Sequence, residues 1–348
     1  MKSKFFYLVS SYYFLFFALI GDYVIFLPKY FSSFFSPTQI GIIFSMMPIA
    51  RFITPFIYLK KPLTKKDFIF GILISSLSSI LLFSKNFYLI SLFFFILGSS
   101  FAIIFPYIEA ISIEKLKEKY GKSRLFGSIG FMLFGIIGGY INFNLLIAFV
   151  ILLILTNIFS LFFLEDKTIK KSSTKFNLFK EWKFWIAVIL LQISFGGFYS
   201  FFTIYVTKHG ISKEWIGWLF AIGVMAEIII FLIQHKFINK KEPIFWIKLS
   251  IFLTSIRWLI LYLFPSNLIL IALSQTIHAF SFALFHTSAL LYLNKTYENK
   301  TLAQQFYAGI AYGIAAFIGS ILAGILYGNY LFLVESIIAL LGVIIFVL

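Results

Sequence analysis

The chain has 348 residues, 61% hydrophobic and only 12% charged, where a soluble domain would be about a quarter charged. With a mean hydropathy of +0.98, this excludes a soluble globular protein and describes a chain that crosses a membrane many times. The absence of cysteine excludes a disulfide framework and a thiolate metal site. The net charge of +16 lies in short loops between apolar runs, so it sets topology and does not mark a nucleic-acid binder.

A helix needs about 20 apolar residues to cross the hydrocarbon. Twelve segments qualify: 5–28, 39–59, 67–84, 87–113, 124–142, 144–164, 182–207, 215–234, 245–264, 267–293, 302–328 and 330–348. The opening MKSKFF runs straight into the first of them without a small-residue cleavage site, and reads as a retained helix. None of the runs alternates with period two, so strands are not expected. Lysine and arginine gather at the N-terminus and in the even loops, as in KKPLTKK (60–66), EKLKEKYGK (114–122) and HKFINKK (235–241). The odd loops hold only Lys29, Lys85, Lys208 and Lys213. Both termini are therefore expected in the cytoplasm. The polar stretch 165–181 divides the chain into an N-terminal six-helix bundle, 1–164, and a C-terminal one, 182–348. The halves echo each other: the run opening at Gly21 and Asp22 aligns with the run opening at Gly196 and Gly197, and Arg51 then falls opposite Glu227. Several helices carry closely spaced small residues, such as Gly127, Gly130, Gly135 and Gly138, which allow close helix approach.

Ionisable side chains within the spans cost about 2.5–3.5 kcal/mol each even on lenient insertion scales, and usually have a partner or a task. Asp22, in the first span, reads either as an outer-end residue in contact with water or as a proton-coupling acid. Arg51, in the second, reads as a counter-charge for Asp22 or as a cation reaching the inner headgroups. Glu227 sits in the eighth span among apolar neighbours; its plain alternative is an ion pair with an arginine. Arg257, in the ninth, has snorkelling to the outer surface as its alternative. In the tenth, Gln275, His278, Phe282 and His286 share one helical face, a polar stripe expected to face a cavity or another helix. Glu335, in the last span, is expected to be peripheral to any pathway.

Between the fourth and fifth spans the chain reads IEAISIEKLKEKYGKSRLFGSIGF. This resembles the matching junction of the lactose permease group, the oligosaccharide–proton symporters, where a Glu ends one helix and a G-[RK]-x-R-[ML]-[FW]-G-x-x-G-[WF] run opens the next. The matching residues are Glu109, then Gly121, Lys122, Arg124, Leu125, Phe126, Gly127, Gly130 and Phe131. Glu227, Arg257 and His278 fall at the group's coupling Glu, Arg and His. The run Gln275, His278, Ala279, Ser281, Phe282, Phe285, His286 is similar to that of the phenylpropionate-permease-like branch. Three departures stand against a lactose carrier. Ser281 replaces the group's proton-releasing Glu, the loop after the second span lacks the superfamily's G-x-x-x-D, and Asp22 has no counterpart.

The resemblance implies the all-α major facilitator fold, with twelve transmembrane helices in two pseudo-symmetric bundles. It implies a proton-coupled symporter that imports an aromatic carboxylate, sugar or nucleoside by alternating access. Glu109 and Arg124, with Gln275 and His286, are then expected to bind substrate. Glu227, Arg257, His278 and Asp22 are expected to handle the proton, which is the coupling ion; no cofactor or metal is called for. The expected setting is the bacterial inner membrane, as a monomer with lipid and a small solute as partners and no nucleic acid. A membrane acyl- or glycosyl-transferase and a non-transporting receptor are the alternatives. The first is opposed by the short loops and by the lack of a nucleophile beside a base.

Overall fold

The computed structural model describes residues 2–57, 64–141, 144–164 and 178–346. Among them every regular element is helical: α1 (Lys2–Ile25), α2 (Leu27–Phe31), α3 (Pro37–Ile57), α4 (Lys65–Ser78), α5 (Phe87–Leu116), α6 (Tyr120–Tyr140), α7 (Leu145–Ser160), α8 (Trp182–Ile193), α9 (Gly196–Lys208), α10 (Lys213–Ile233), α11 (Pro243–Leu263), α12 (Leu268–Thr276), α13 (Phe285–Thr296), α14 (Lys300–Gly309), α15 (Ala316–Ile325) and α16 (Leu331–Ile345). Ten helical runs among the described residues are long and apolar enough to cross a membrane. One of these, Phe87–Tyr140, holds both α5 and α6 in 54 residues, and Leu331–Ile345 is shorter than the rest. Large apolar side chains such as Leu77 and Tyr88 stand exposed on the outer faces, as lipid in place of water allows.

The helix starts are written locally. Asn86, Asn144, Asn267 and Asn299 each accept backbone N–H groups at the first turn of α5, α7, α12 and α14. Thr64 and Asp67 close a capping box on α4. These bonds satisfy donors that the first turn of a helix leaves without partners.

The expected spans are less continuous than hydropathy implies. The first breaks at Phe26, because Pro28 has no N–H to continue the ladder and its ring crowds the preceding turn. The seventh breaks between α8 and α9, where Ser194 turns its hydroxyl to the Leu191 carbonyl (2.6 Å) just before Gly196 and Gly197. The tenth and eleventh contain π-helical turns, Phe280–Leu284 and Ile310–Ala315. The turn between α5 and α6 is only Lys117–Lys119, so Glu109 and Arg124 lie within helices. Of the expected linker 165–181, residues 165–177 lie outside the described residues, and Leu178–Glu181 form a 3-10 turn.

The chain forms two compact units, Met1–Lys171 with Lys213–Trp218, and Ser172–Ser212 with Leu219–Leu348. In the first, α1 packs along α6 and α3 along α5. A Cβ on Gly130 would overlap the Phe14 carbonyl, so glycine is what lets α1 and α6 touch backbone to backbone. In the second, α11 packs on α16 and α9 on α15.

Candidate functional site

Each unit holds its own polar site. In the first unit, α5 supplies Glu109 and α6 supplies Tyr120 and Arg124, one helical turn apart on one face. The Tyr120 hydroxyl donates to Glu109 Oε1 at 2.6 Å. Arg124 Nε lies 3.8 Å from the same oxygen. The guanidinium carbon sits 4.4 Å from the Phe17 ring centroid, 4.9 Å from Tyr13 and 5.3 Å from Phe105. The aromatic rings of α1 and α5 thus cover the flat faces of the cation. Its two terminal nitrogens have no protein partner among the described residues. The side chains of Arg124 and Glu109 are 35% and 32% exposed, so the donor fork is open to a solute.

In the second unit, Arg257 is fully buried. Its Nη1 donates to His278 Nδ1 and its Nη2 to Gln275 Oε1, both at 2.7 Å. His278 Nε2 lies 2.7 Å from Glu227 Oε1. The guanidinium stacks on Phe198 at 4.2 Å and Trp258 at 4.5 Å. A guanidinium can only donate, so Nδ1 must present its lone pair and the ring proton must sit on Nε2. His278 is therefore a neutral bridge that accepts from Arg257 and donates to Glu227. Taking a second proton at Nδ1 would break its bond to Arg257. Gly223, one turn before Glu227 on α10, leaves room for the ring: a Cβ there would meet His278 Cδ2 at 3.3 Å.

The stripe on the tenth span behaves as its spacing predicts, with one local refinement. His278 stacks on Phe282 (5.9 Å, 22°) and Phe282 on His286 (6.3 Å, 10°). The π turn Phe280–Leu284 lies within this stack. His286 Nδ1 pairs with the Tyr312 hydroxyl at 3.1 Å, and Tyr307 packs beside both rings.

Several expectations change. Gln275, expected at the substrate, is buried, with its oxygen on Arg257 and its nitrogen on Ser274 Oγ (3.1 Å) and the Ile271 carbonyl (3.4 Å). It is a member of the arginine network. Arg257 does not snorkel, since its ends are held by α12 and the turn that follows it. Glu227 meets His278 and not an arginine. Asp22 is fully buried, with no hydrogen-bond partner for either carboxyl oxygen among the described residues, so it does not face water. Arg51 is exposed on α3 and forms no bond to Asp22. Ser281 turns its hydroxyl to the Ile277 carbonyl at 3.2 Å. Glu335 is buried and bonded to the Gly197 amide. Sequence reading missed Tyr120, Tyr13, Phe17, Phe105 and Tyr312. Aromatic residues are too frequent here, with 49 Phe and 19 Tyr, for any one to stand out. Spacing on α1 (Tyr13, Phe17) was the available signal.

The model of the MFS_1 like family matches residues 6–334. A probable 3-phenylpropionic acid transporter of Escherichia coli (strain K12) is 29% identical over 265 residues, covering 69% of each chain. The uncharacterized transporter YwbF of Bacillus subtilis (strain 168) is 28% identical over 305 residues, covering 80% of this chain and 75% of that one. Among solved structures, the nucleoside transporter NupG (D323A mutant) superposes with a TM-score of 0.82 at 17% identity over 98% of both chains. A bacterial metal transporter gives 0.72 at 12% identity, over 98% of this chain and 97% of that one. At these identities the superpositions establish the fold.

Proposed function

The chain belongs to the MFS_1 like family of membrane transporters, and from that premise we propose that it is a proton-coupled symporter importing an aromatic carboxylate by alternating access. The observation that carries this reading is the contrast between the two arginines. Arg257 has both terminal nitrogens engaged and is sealed from solvent. Arg124 has its fork open and its faces lined by rings. A planar fork recognises a carboxylate by two parallel hydrogen bonds, and the surrounding rings suit an aromatic group attached to it. The name of the Escherichia coli relative, a probable 3-phenylpropionic acid transporter, supports the same solute class over a sugar or nucleoside.

Glu227 is the proton acceptor. With Glu227 ionised, the neutral His278 donates to it and Arg257 balances its charge through the ring. With Glu227 protonated, Arg257 loses that counter-charge and the network re-forms. Asp22, buried without a hydrogen-bond partner among the described residues, is a second candidate acid in the other unit. The proton is the only coupling species required. Twelve crossings fit this reading. The 54 residues of Phe87–Tyr140, at about 1.5 Å each, exceed twice the hydrocarbon thickness of about 30 Å. They count as two crossings, and Leu331–Ile345 as the last. The division into bundles 1–164 and 182–348, cytoplasmic termini, the bacterial inner membrane and a monomer belong to the same proposal.

The test is proton movement with solute. Everted or intact vesicles, or cells making the protein, are given 3-phenylpropionate in weakly buffered medium. Alkalinisation on the side of addition, faster at acid pH and absent in cells without the protein, is expected. Uptake of the probe without any proton movement would overturn proton coupling. Absence of both binding and uptake would overturn the solute class.

A further inference from the structure

Glu335 lies on α16, and its surroundings are built around a charge. Its Oε1 accepts the Gly197 N–H, in the first turn of α9. The carboxylate packs so closely on that residue that a Cβ on Gly197 would meet Oε1 at 2.5 Å. Its other oxygen, Oε2, is buried with no hydrogen-bond partner among the described residues. The side chain borders a small cleft with Ile193, Gly319, Leu322, Leu331 and Ile338. The cation of α11 at this level is Arg257: its neighbour Trp258 packs on Phe332, three residues before Glu335, at 5.8 Å. From α9 come the Gly197 amide and Tyr205, which packs on Phe332 (4.7 Å); Ile193 of α8 and Gly319 and Leu322 of α15 are apolar. Arg257 and Glu335 both lie against the first turn of α9, one over the Phe198 ring at 4.2 Å and the other on the Gly197 amide next to it, and Arg257 bonds to His278, which carries Glu227, and to Gln275.

One positive charge thus stands among two carboxylates, because His278 is neutral as bonded. In a medium that penalises any uncompensated charge, this cluster lacks one proton. We propose that Glu335 is a second proton-binding carboxylate, sharing with Glu227 the single proton that neutralises the buried cluster around Arg257. The proton adds to Oε2, which becomes an O–H group, while Oε1 keeps the Gly197 N–H. When Glu335 holds the proton, Arg257 balances Glu227 through His278. When Glu227 holds it, Arg257 balances Glu335. The pair then titrates as a unit and not as two independent acids. The internal repeat adds a parallel: Asp22 aligns with Gly197, so each half places one buried carboxyl at this position of its first helix. One half takes it from the helix itself, the other from α16.

This inference rests on the proton-coupled reading, but its first test needs no solute. Infrared difference spectra of the purified full-length protein are recorded between alkaline and acid pH in the carboxylic-acid region. A buried acid band that persists in the D22N variant, and is lost or moved to more acid pH when either E227Q or E335Q is added, is expected, because Arg257 then balances the carboxylate that is left. A band unchanged in D22N/E227Q or in D22N/E335Q would overturn the proposal, and the first of these variants leaves Glu335 untouched should E335Q fold poorly. The second readout is the pH profile of 3-phenylpropionate uptake. Glu335→Gln keeps an acceptor oxygen for Gly197, so a mere helix cap predicts an unchanged profile, which would also overturn the proposal. We expect instead a shifted profile and loss of accumulation with exchange retained. If the wild type moves no protons with solute, the symport reading fails while the infrared result stands by itself.

Discussion

Arg124→Lys separates the open fork from mere positive charge. The variant keeps the cation near Glu109 but loses the planar donor pair and the stacking on Phe17, Tyr13 and Phe105. A hydrogen bond to a charged group contributes about 1.5–3 kcal/mol. The site is about a third open to solvent, with Arg124 35% exposed, so the lower figure applies. Losing one of two bonds to a carboxylate then weakens binding by about tenfold, at about 1.4 kcal/mol per decade. The assay is equilibrium binding of 3-phenylpropionate to purified protein, beside its uncharged alcohol analogue. Arg124→Lys should lower carboxylate affinity by about tenfold, hardly change that of the alcohol, and leave the melting temperature unchanged. Equal affinity of wild type and variant for the acid would refute the assignment of Arg124 to the carboxylate. A large loss of thermal stability would show that the ring cage serves folding instead.

Other consequences are separately measurable. Arg257→Leu strands Glu227 and Glu335 without their shared cation and should destabilise the protein by about 3–5 kcal/mol, read as a lowered melting temperature; a variant as stable as wild type would remove Arg257 from the charge balance. Tyr120→Phe deletes the 2.6 Å bond to Glu109 and should weaken solute binding by a few-fold, about 1 kcal/mol, with folding intact; unchanged affinity would take Tyr120 out of the site. Gly130→Leu forces a side chain into the Phe14 backbone and should prevent α1 and α6 from packing, read as loss of folded protein on size-exclusion chromatography; a monodisperse, active variant would contradict the close approach.

The extent to which this architecture is legible in the sequence follows from what each signal depends on. Hydropathy located nearly every helix, because the bilayer imposes a length that the chain must meet. It did not show the breaks at Phe26 and between α8 and α9, which depend on one proline, one serine and a pair of glycines inside apolar runs. The stripe of Gln275, His278 and His286 was visible because helical spacing fixes which residues share a face. That Gln275 turns to Arg257 while His286 turns to Tyr312 depends on packing between helices, which spacing does not encode. The partner of Glu335 was not legible for the same reason. Its position in the last apolar run says nothing of the Gly197 amide it meets, because that contact joins residues far apart in the chain. Arg51 and Asp22 show the converse: opposite charges in neighbouring spans invite pairing on paper, yet Asp22 is sealed inside its unit and Arg51 stands exposed.

The central claim is that Glu227 carries the proton that drives accumulation. It is tested most directly with Glu227→Gln in proteoliposomes under an imposed pH gradient, with 3-phenylpropionate as the probe. The neutral amide can still accept from His278 Nε2, so the fold and the solute site are preserved. The account predicts that accumulation against a gradient is lost while solute exchange across the membrane continues at a rate that no longer depends on pH. Accumulation by Glu227→Gln equal to that of the wild type would contradict it.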